Sequence, residues 1–222
     1  MDLKEAVKKR HSVRQFTDKE IEGETEKDLC LKIENCNKES GLNIQLCLNE
    51  EKAFNEGILT KISWFKNVKN YIAIVGKKTE DLNTVGYYGE KVVLKATQLG
   101  LNTCWAASSY NKSKICAKIA DDEKLFIVIA VGYGITNGNS RKTKAIDKLG
   151  NVNSDSPQWF INGLKSVQLA PTARNQQRFK FILSGNVVEA KALFGFHTKI
   201  DLGIAKYHFE IGANSKEWSW KT

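Results

Sequence analysis

One stretch limits what this chain can fold into more than any other. LFIVIAVGYG, residues 125–134, is the longest continuous apolar run in the sequence. It is too short to cross a bilayer, which takes about 20 residues in a helix. It is rich in β-branched residues, which favour strands. A strand apolar at every position is one covered on both faces, so this run is expected to be the central strand of a sheet. YIAIVG, residues 71–76, is a second continuous apolar run and reads as another buried strand. LNIQLCL, residues 42–48, instead alternates Leu42, Ile44, Leu46 and Leu48 with polar neighbours, the period of a half-buried strand.

Helical patterns surround these strands. Residues 2–10 place Leu3, Ala6 and Val7 on one face of a short helix. Thr25 and Asp28 have the spacing of a capping box, which would open a helix carrying Leu29 and Ile33 to about Cys36. Residues 86–99 form an amphipathic stripe of Val92, Val93, Ala96 and Leu99, opened by Gly86 and closed by Gly100 in the left-handed conformation. A polar, basic stretch, residues 136–156, precedes a second set of elements. These are a helix over residues 159–169, a strand alternating Phe179, Phe181 and Leu183, and a helix over residues 200–213. Each set has a helix, an arginine-bearing turn, a strand and a helix opened by a glycine, Gly86 in one and Gly203 in the other. Superposing those glycines sets Leu94 over Ile211 and Ala96 over Ala213. This weak repeat points to two half-domains, residues 1–150 and 151–222.

Bulk composition narrows the function. With 222 residues, 41% hydrophobic and 27% charged, the chain is an ordinary globular sequence. The net charge of +9 is spread out, and no run of five basic residues occurs. Scattered lysine marks a solvated surface and argues against nucleic acid as a partner. The five arginines are more telling, because guanidinium suits bidentate phosphate contacts. Arg10 lies near Arg14, Arg174 near Arg178, and Arg141 among lysines. The five cysteines are odd in number and make no C-x-x-C pair, so free thiols in a reducing cytosol are expected and no metal site. His11, His197 and His208 make no H-x-x-x-H pair. A charged N-terminus from Asp2 onward and the lack of a membrane-length apolar run are consistent with a cytoplasmic protein that keeps away from membranes.

Four segments could carry chemistry. RHSVRQF, residues 10–16, puts two arginines four apart with a serine between them. It is either a phosphate-binding turn or a solvated basic one. APTARNQQ, residues 170–177, combines a fixed proline with Thr172 and Asn175, suited to the edge of a flat heterocycle or to an ordinary loop. GLNTCWAAS, residues 100–108, follows Trp105 with the small residues Ala106 and Ala107, where backbone N–H groups could approach a ligand or a helix could simply end. Arg141, Lys142 and Lys144 either complete a phosphate site or are solvated. No G-x-x-x-x-G-K-[ST] loop, G-x-G-x-x-G fingerprint or G-x-S-x-G elbow is present.

Together these segments resemble the nitroreductase-like FMN flavoproteins. RHSVRQF is similar to that family's opening signature, arginine-x-serine-x followed by lysine or arginine. GLNTCW is similar to its glycine-leucine-glycine-x-cysteine-tryptophan segment, GYG with RKTK to its closing phosphate segment, and APTARNQQ to its alanine-proline-serine-x-x-asparagine-x-glutamine loop. The order departs from the usual pattern, because the proline-asparagine loop comes last. This looks like the divergent branch labelled TM nitroreductase, and Arg178-Phe179 and Ala106-Ala107 depart further from the usual residues. The resemblance implies an α+β fold with a central, mainly antiparallel sheet and helices on both faces. It also implies either an internal pseudo-dimer within a monomer or a homodimer. Arg10 and Ser12 would hold the FMN phosphate with the backbone of His11, and Arg14 would reach the pyrimidine edge. Trp105, Ala106 and Ala107 would lie near the reactive nitrogen, and Arg141, Lys142 and Lys144 would add phosphate contacts. Pro171, Thr172 and Asn175 would line the ring from the other half. The implied reaction passes electrons from NADH or NADPH through FMN to a small acceptor such as a nitroaromatic or a quinone, with no catalytic side chain. Flavin breakdown, dehalogenation and a degenerate binding protein are the alternatives on this fold.

Overall fold

The computed structural model describes residues 1–55 and 64–221. In chain order it opens with helices α1 (Leu3–Lys9) and α2 (Gly23–Ser40), strand β1 (Asn43–Cys47), the short helix α3 (Lys52–Asn55) and strand β2 (Tyr71–Lys77). Helix α4 (Leu82–Gln98), strand β3 (Asn102–Ala106) and strand β4 (Glu123–Gly132) follow. Then come helices α5 (Ile146–Leu149) and α6 (Gln158–Val167), strands β5 (Phe179–Ser184) and β6 (Val187–Ala192), helix α7 (Thr198–Ala213) and strand β7 (Ser219–Trp220). The chain divides into two compact units, neither continuous in sequence. The first is Met1, Lys9–Glu80 and Lys91–Ser140; the second is Asp2–Lys8, Asp81–Glu90 and Arg141–Thr222.

The first unit is built on an antiparallel sheet of order β1-β2-β4-β3. Its two continuous apolar runs occupy the two interior positions, as their lack of a polar face requires: every residue of β2 but Lys77 is buried. Tyr71 pairs with Ala130 and Ala73 with Val128, and all four join Phe16, Phe54 and Tyr110 in one hydrophobic cluster. β1 is the half-buried edge, with Ile44 and Cys47 buried and Leu46 only partly so. α2 carries Leu29, Ile33 and Cys36 inward. The capping box is absent. The helix starts at Gly23, before Thr25, and Asp28 instead accepts from Lys95 Nζ at 2.7 Å. Strand β3 escaped the sequence reading, because its five residues carry no alternation long enough to register.

The second unit holds a three-stranded sheet, β5-β6-β7, antiparallel between β5 and β6 and parallel between β6 and β7. Phe179 and Phe181 point inward from β5. Phe181 stacks on Phe209 of α7 at 5.1 Å between centroids, and Trp159 of α6 stacks on Trp218 at 5.8 Å. Neither Gly86 nor Gly203 opens a helix; both lie inside one. A Cβ on Gly86 would stand 2.0 Å from the Ile200 carbonyl oxygen, and one on Gly203 would stand 2.0 Å from that of Asn83. The backbones of α4 and α7 therefore touch at these two glycines. The contact is reciprocal: Gly86 meets residues 200 and 204, and Gly203 meets residues 83 and 87. Such reciprocity is the pattern of a two-fold, isologous contact. Beside it, His208 is fully buried, with Nε2 2.9 Å from Glu90 Oε1 and Nδ1 3.2 Å from the Ser166 carbonyl oxygen.

Mixed helices and antiparallel sheet make the chain α+β. None of the described helices is long and apolar enough to cross a membrane. All five cysteines are free, and the described residues contain no cluster of metal-ligating side chains.

Candidate functional site

The candidate residues of the first unit are gathered by an extended segment that leaves α1. Val13 N–H donates to the Thr103 carbonyl at 3.0 Å, and Ser12 bridges Thr103 in parallel, so the segment runs along the outer edge of β3. Phe16 N–H donates to the Lys66 carbonyl and Lys66 N–H to the Arg14 carbonyl. Thr17 N–H and Ile135 N–H tie the same segment to the exit of β4. Close packing fixes that exit. A Cβ on Gly134 would meet Val13 Cγ1 at 2.7 Å, and one on Gly138, whose φ is +77°, would meet His11 Cβ at 2.8 Å. Glycine is required at both places, and at Gly138 also by its backbone conformation.

This scaffold sets the side chains. Arg10 is buried at 3% exposure, His11 and Ser12 are half-buried, and Arg14 is exposed. Arg10, Ser12 and Arg14 all act on one group, Cys104 on β3. Its buried thiol is pushed up by desolvation, which outweighs the lowering fields of Arg14 and Arg10 and a hydrogen bond from Ser12. Two guanidinium groups and a hydroxyl thus all act on the Cys104 thiol at the β3 edge, a set of groups suited to an oxyanion carrying several acceptor atoms. Trp105 and Ala106 continue β3 beyond that point, paired with Ile129 and Val128 of β4, and Ala107 follows the strand.

The candidates of the second unit are tightly bonded to one another. Arg141 Nη2 donates to the Ala170 carbonyl at 2.6 Å, and Lys144 Nζ donates to that of Gln177 at 2.8 Å. Asn175 Nδ2 donates to the Lys142 carbonyl at 2.8 Å, and Asn175 Oδ1 accepts from Gln177 Nε2. The basic tract is therefore bound to the loop of Pro171, Thr172 and Asn175, chiefly through backbone carbonyls. Thr172 Oγ1 accepts from Gln177 N–H, and Pro171 is buried. The loop is strained. Arg174, Asn175 and Gln177 all have positive φ, at 53°, 54° and 45°. For residues other than glycine such backbones cost about 1–3 kcal/mol each and gather at functional sites.

Asp201 holds that strain, and nothing in the sequence singled it out. It is 3% exposed in the first turn of α7, accepting from Ala173 N–H at 3.0 Å and from Gln176 Nε2 at 2.9 Å. Burial pushes its carboxyl up to about 6, against the two hydrogen bonds, which lower it. The folded protein therefore keeps this proton at pH values where the unfolded chain, with a carboxyl near 3.9, has lost it. The stability it contributes is full below pH ~4 and is lost as pH rises through about 6, at up to about 1.4 kcal/mol per pH unit. Urea denaturation at pH 4, 5, 6 and 7 should show wild type losing roughly 2–3 kcal/mol relative to Asp201→Asn, which cannot titrate. Parallel pH profiles for the two proteins would show that Asp201 does not carry this proton.

Solved structures share the fold. The putative nitroreductase of Thermotoga maritima superposes with a TM-score of 0.68 at 23% identity, over 96% of this chain and 83% of that one. The FMN complex of a putative nitroreductase from Desulfovibrio desulfuricans gives 0.54 at 16% identity, over 71% of this chain and 99% of its own. A variant of an FMN- and NADPH-dependent nitroreductase from Sphigopyxis sp. strain HMH gives 0.54 at 15% identity, over 70% and 99%. At such identities the likeness establishes the fold. None of the curated proteins matches the chain. The family model described as Putative TM nitroreductase matches residues 2–213, and the chain belongs to that family.

Proposed function

We propose that this protein is an FMN-dependent oxidoreductase that moves electrons from NADH or NADPH to a small acceptor such as a nitroaromatic or a quinone. The observation that carries the reading is the setting of Arg10, Ser12 and Arg14 on the segment along the outer edge of β3, where all three act on the Cys104 thiol. Two cations and a hydroxyl fit a phosphate monoester, and the chain lacks a dinucleotide fingerprint. FMN and NADPH in the names of fold neighbours agree with it. The reading keeps two halves, residues 1–150 with the phosphate residues and 151–222 with the APTARNQ loop.

In this reading Arg10 and Ser12 hold the phosphate, the His11 backbone supports them, and Arg14 sets positive charge at the pyrimidine edge. Arg141, Lys142 and Lys144 hold the second-unit loop in shape, which positions Pro171, Thr172 and Asn175. Trp105, Ala106 and Ala107 present backbone at the end of β3. When bound, FMN supplies the two-electron carrier, so no side chain need act as acid or base.

Titration of flavin-free protein, followed by flavin fluorescence, should show binding of FMN and much weaker binding of FAD. Arg10→Ala removes a charge-assisted pair worth about 1.5–3 kcal/mol, so FMN affinity should fall roughly ten- to a hundredfold. Wild-type affinity in Arg10→Ala would refute the phosphate assignment. Equal binding of FAD, or of neither flavin, would refute the cofactor.

A further inference from the structure

The second unit has a cleft that shares no residue with the candidate flavin groups. Its volume is about 350 Å³, and it lies among α1, α6 and α7, within the range of small-molecule sites. Lys4 and Lys8, one turn apart on α1, and Lys165 of α6 line it. Among the described residues none of these lysines has a carboxylate partner. Val7, Leu169 and Ile211 supply apolar wall. Ser166 also lines the cleft. It is 8% exposed, and its Oγ is buried without a hydrogen-bond partner among the described residues. A helical serine ordinarily returns its hydroxyl to the carbonyl one turn earlier. Here that carbonyl, of Asn162, is packed by Gly212, where an added Cβ would come within 2.5 Å. The Ser166 backbone is fixed from behind, its carbonyl oxygen lying 3.2 Å from His208 Nδ1.

A buried hydroxyl left unsatisfied costs about 1–3 kcal/mol, and uncompensated lysines around an apolar concavity attract negative charge. We propose that this cleft is a binding site for a small organic anion: a carboxylate on an apolar body of aromatic-ring size. The carboxylate lies among the lysines while the body rests on Val7, Leu169 and Ile211, and Ser166 Oγ, closed off from the empty cleft, turns about its Cα–Cβ bond to donate to the carboxylate. Neither inorganic phosphate, which has no apolar body, nor a neutral aromatic, which has no charge, satisfies both halves of the site.

Isothermal titration calorimetry of the full chain with 2-naphthoate tests this, with 2-naphthol and inorganic phosphate as the two half-ligands. One naphthoate should bind per chain, at least tenfold more tightly than either half-ligand, and equally with or without saturating FMN. Lys8→Glu/Lys165→Glu should weaken binding at least tenfold, and Ser166→Ala should weaken it several-fold. The charge-matched control Lys38→Glu/Lys112→Glu, both exposed and in the first unit, should bind as wild type. All four lysines are exposed, so circular dichroism should show both charge variants folded. No heat with naphthoate, equal binding of naphthol, displacement by FMN, or equal loss in the control would each overturn the site.

Discussion

Gly203→Ala should destabilise the protein by about 2–3 kcal/mol or more, although alanine is the better helix former. In an exposed helix interior the same change gains about 1 kcal/mol. Here the new Cβ falls 2.0 Å from the Asn83 carbonyl oxygen and 2.8 Å from Tyr87 N. Both are backbone atoms inside another helix and cannot rotate away, so α4 and α7 must separate. Overpacking of this kind costs about 1–3 kcal/mol and occasionally more, and the separation also loosens contacts along the crossing. Gly86→Ala should behave alike, because its Cβ meets the Ile200 carbonyl oxygen at the same 2.0 Å. The double variant should lose less than the sum, since one separation relieves both clashes. Gly185 supplies the contrast. It has φ 57° and open space around it, so Gly185→Ala should cost only the left-handed strain, about 1–2 kcal/mol. Urea midpoints of the four variants check this, and a Gly203→Ala protein as stable as wild type would show that the helices do not touch there.

That pair of glycines also shows where sequence reasoning stopped. Both were singled out as equivalent positions, and they do play equivalent parts, but as crossing points rather than helix starts. A glycine in a helical pattern signals an end or a close approach with the same letter, and only the partner helix decides between them. The apolar runs were legible, because a strand with no polar residue has nowhere to sit but the interior of a sheet. β6 was not, because VVEAKA leaves only Val188 buried and the apolar pattern has little to follow. The candidate groups were legible as motifs, while their setting was not. Arg141, Lys142 and Lys144 read as either phosphate ligands or solvated charge. In the fold, Arg141 and Lys144 donate to carbonyls of the loop at 170–177, and Lys142 offers its own carbonyl to Asn175. Asp201 gave no signal, since an aspartate in a helix's first turn is ordinary. Its burial beneath a strained loop follows from packing between segments some 25 residues apart.

Glu90→Ala should cost about 3–5 kcal/mol. Glu90 and His208 are both fully buried and bonded at 2.9 Å. The second ring nitrogen faces the Ser166 carbonyl oxygen, which only accepts, so Nδ1 carries a proton. Removing the carboxyl strands a buried imidazole nitrogen, and breaking one side of such a pair is far more costly than never having built it. Glu90→Gln keeps the shape and can donate its amide to Nε2, so it should retain most of the stability, within about 1 kcal/mol of one ordinary hydrogen bond. His208→Ala should be costly as well, and Glu90→Ala/His208→Ala should lose clearly less than the two singles summed, because the bond the two side chains share is then lost only once. Urea denaturation of the four proteins at neutral pH reads the cycle. Additive losses would show that the pair is not coupled, and a Glu90→Gln protein as unstable as Glu90→Ala would show that the carboxylate charge, rather than the bond, holds His208 in place.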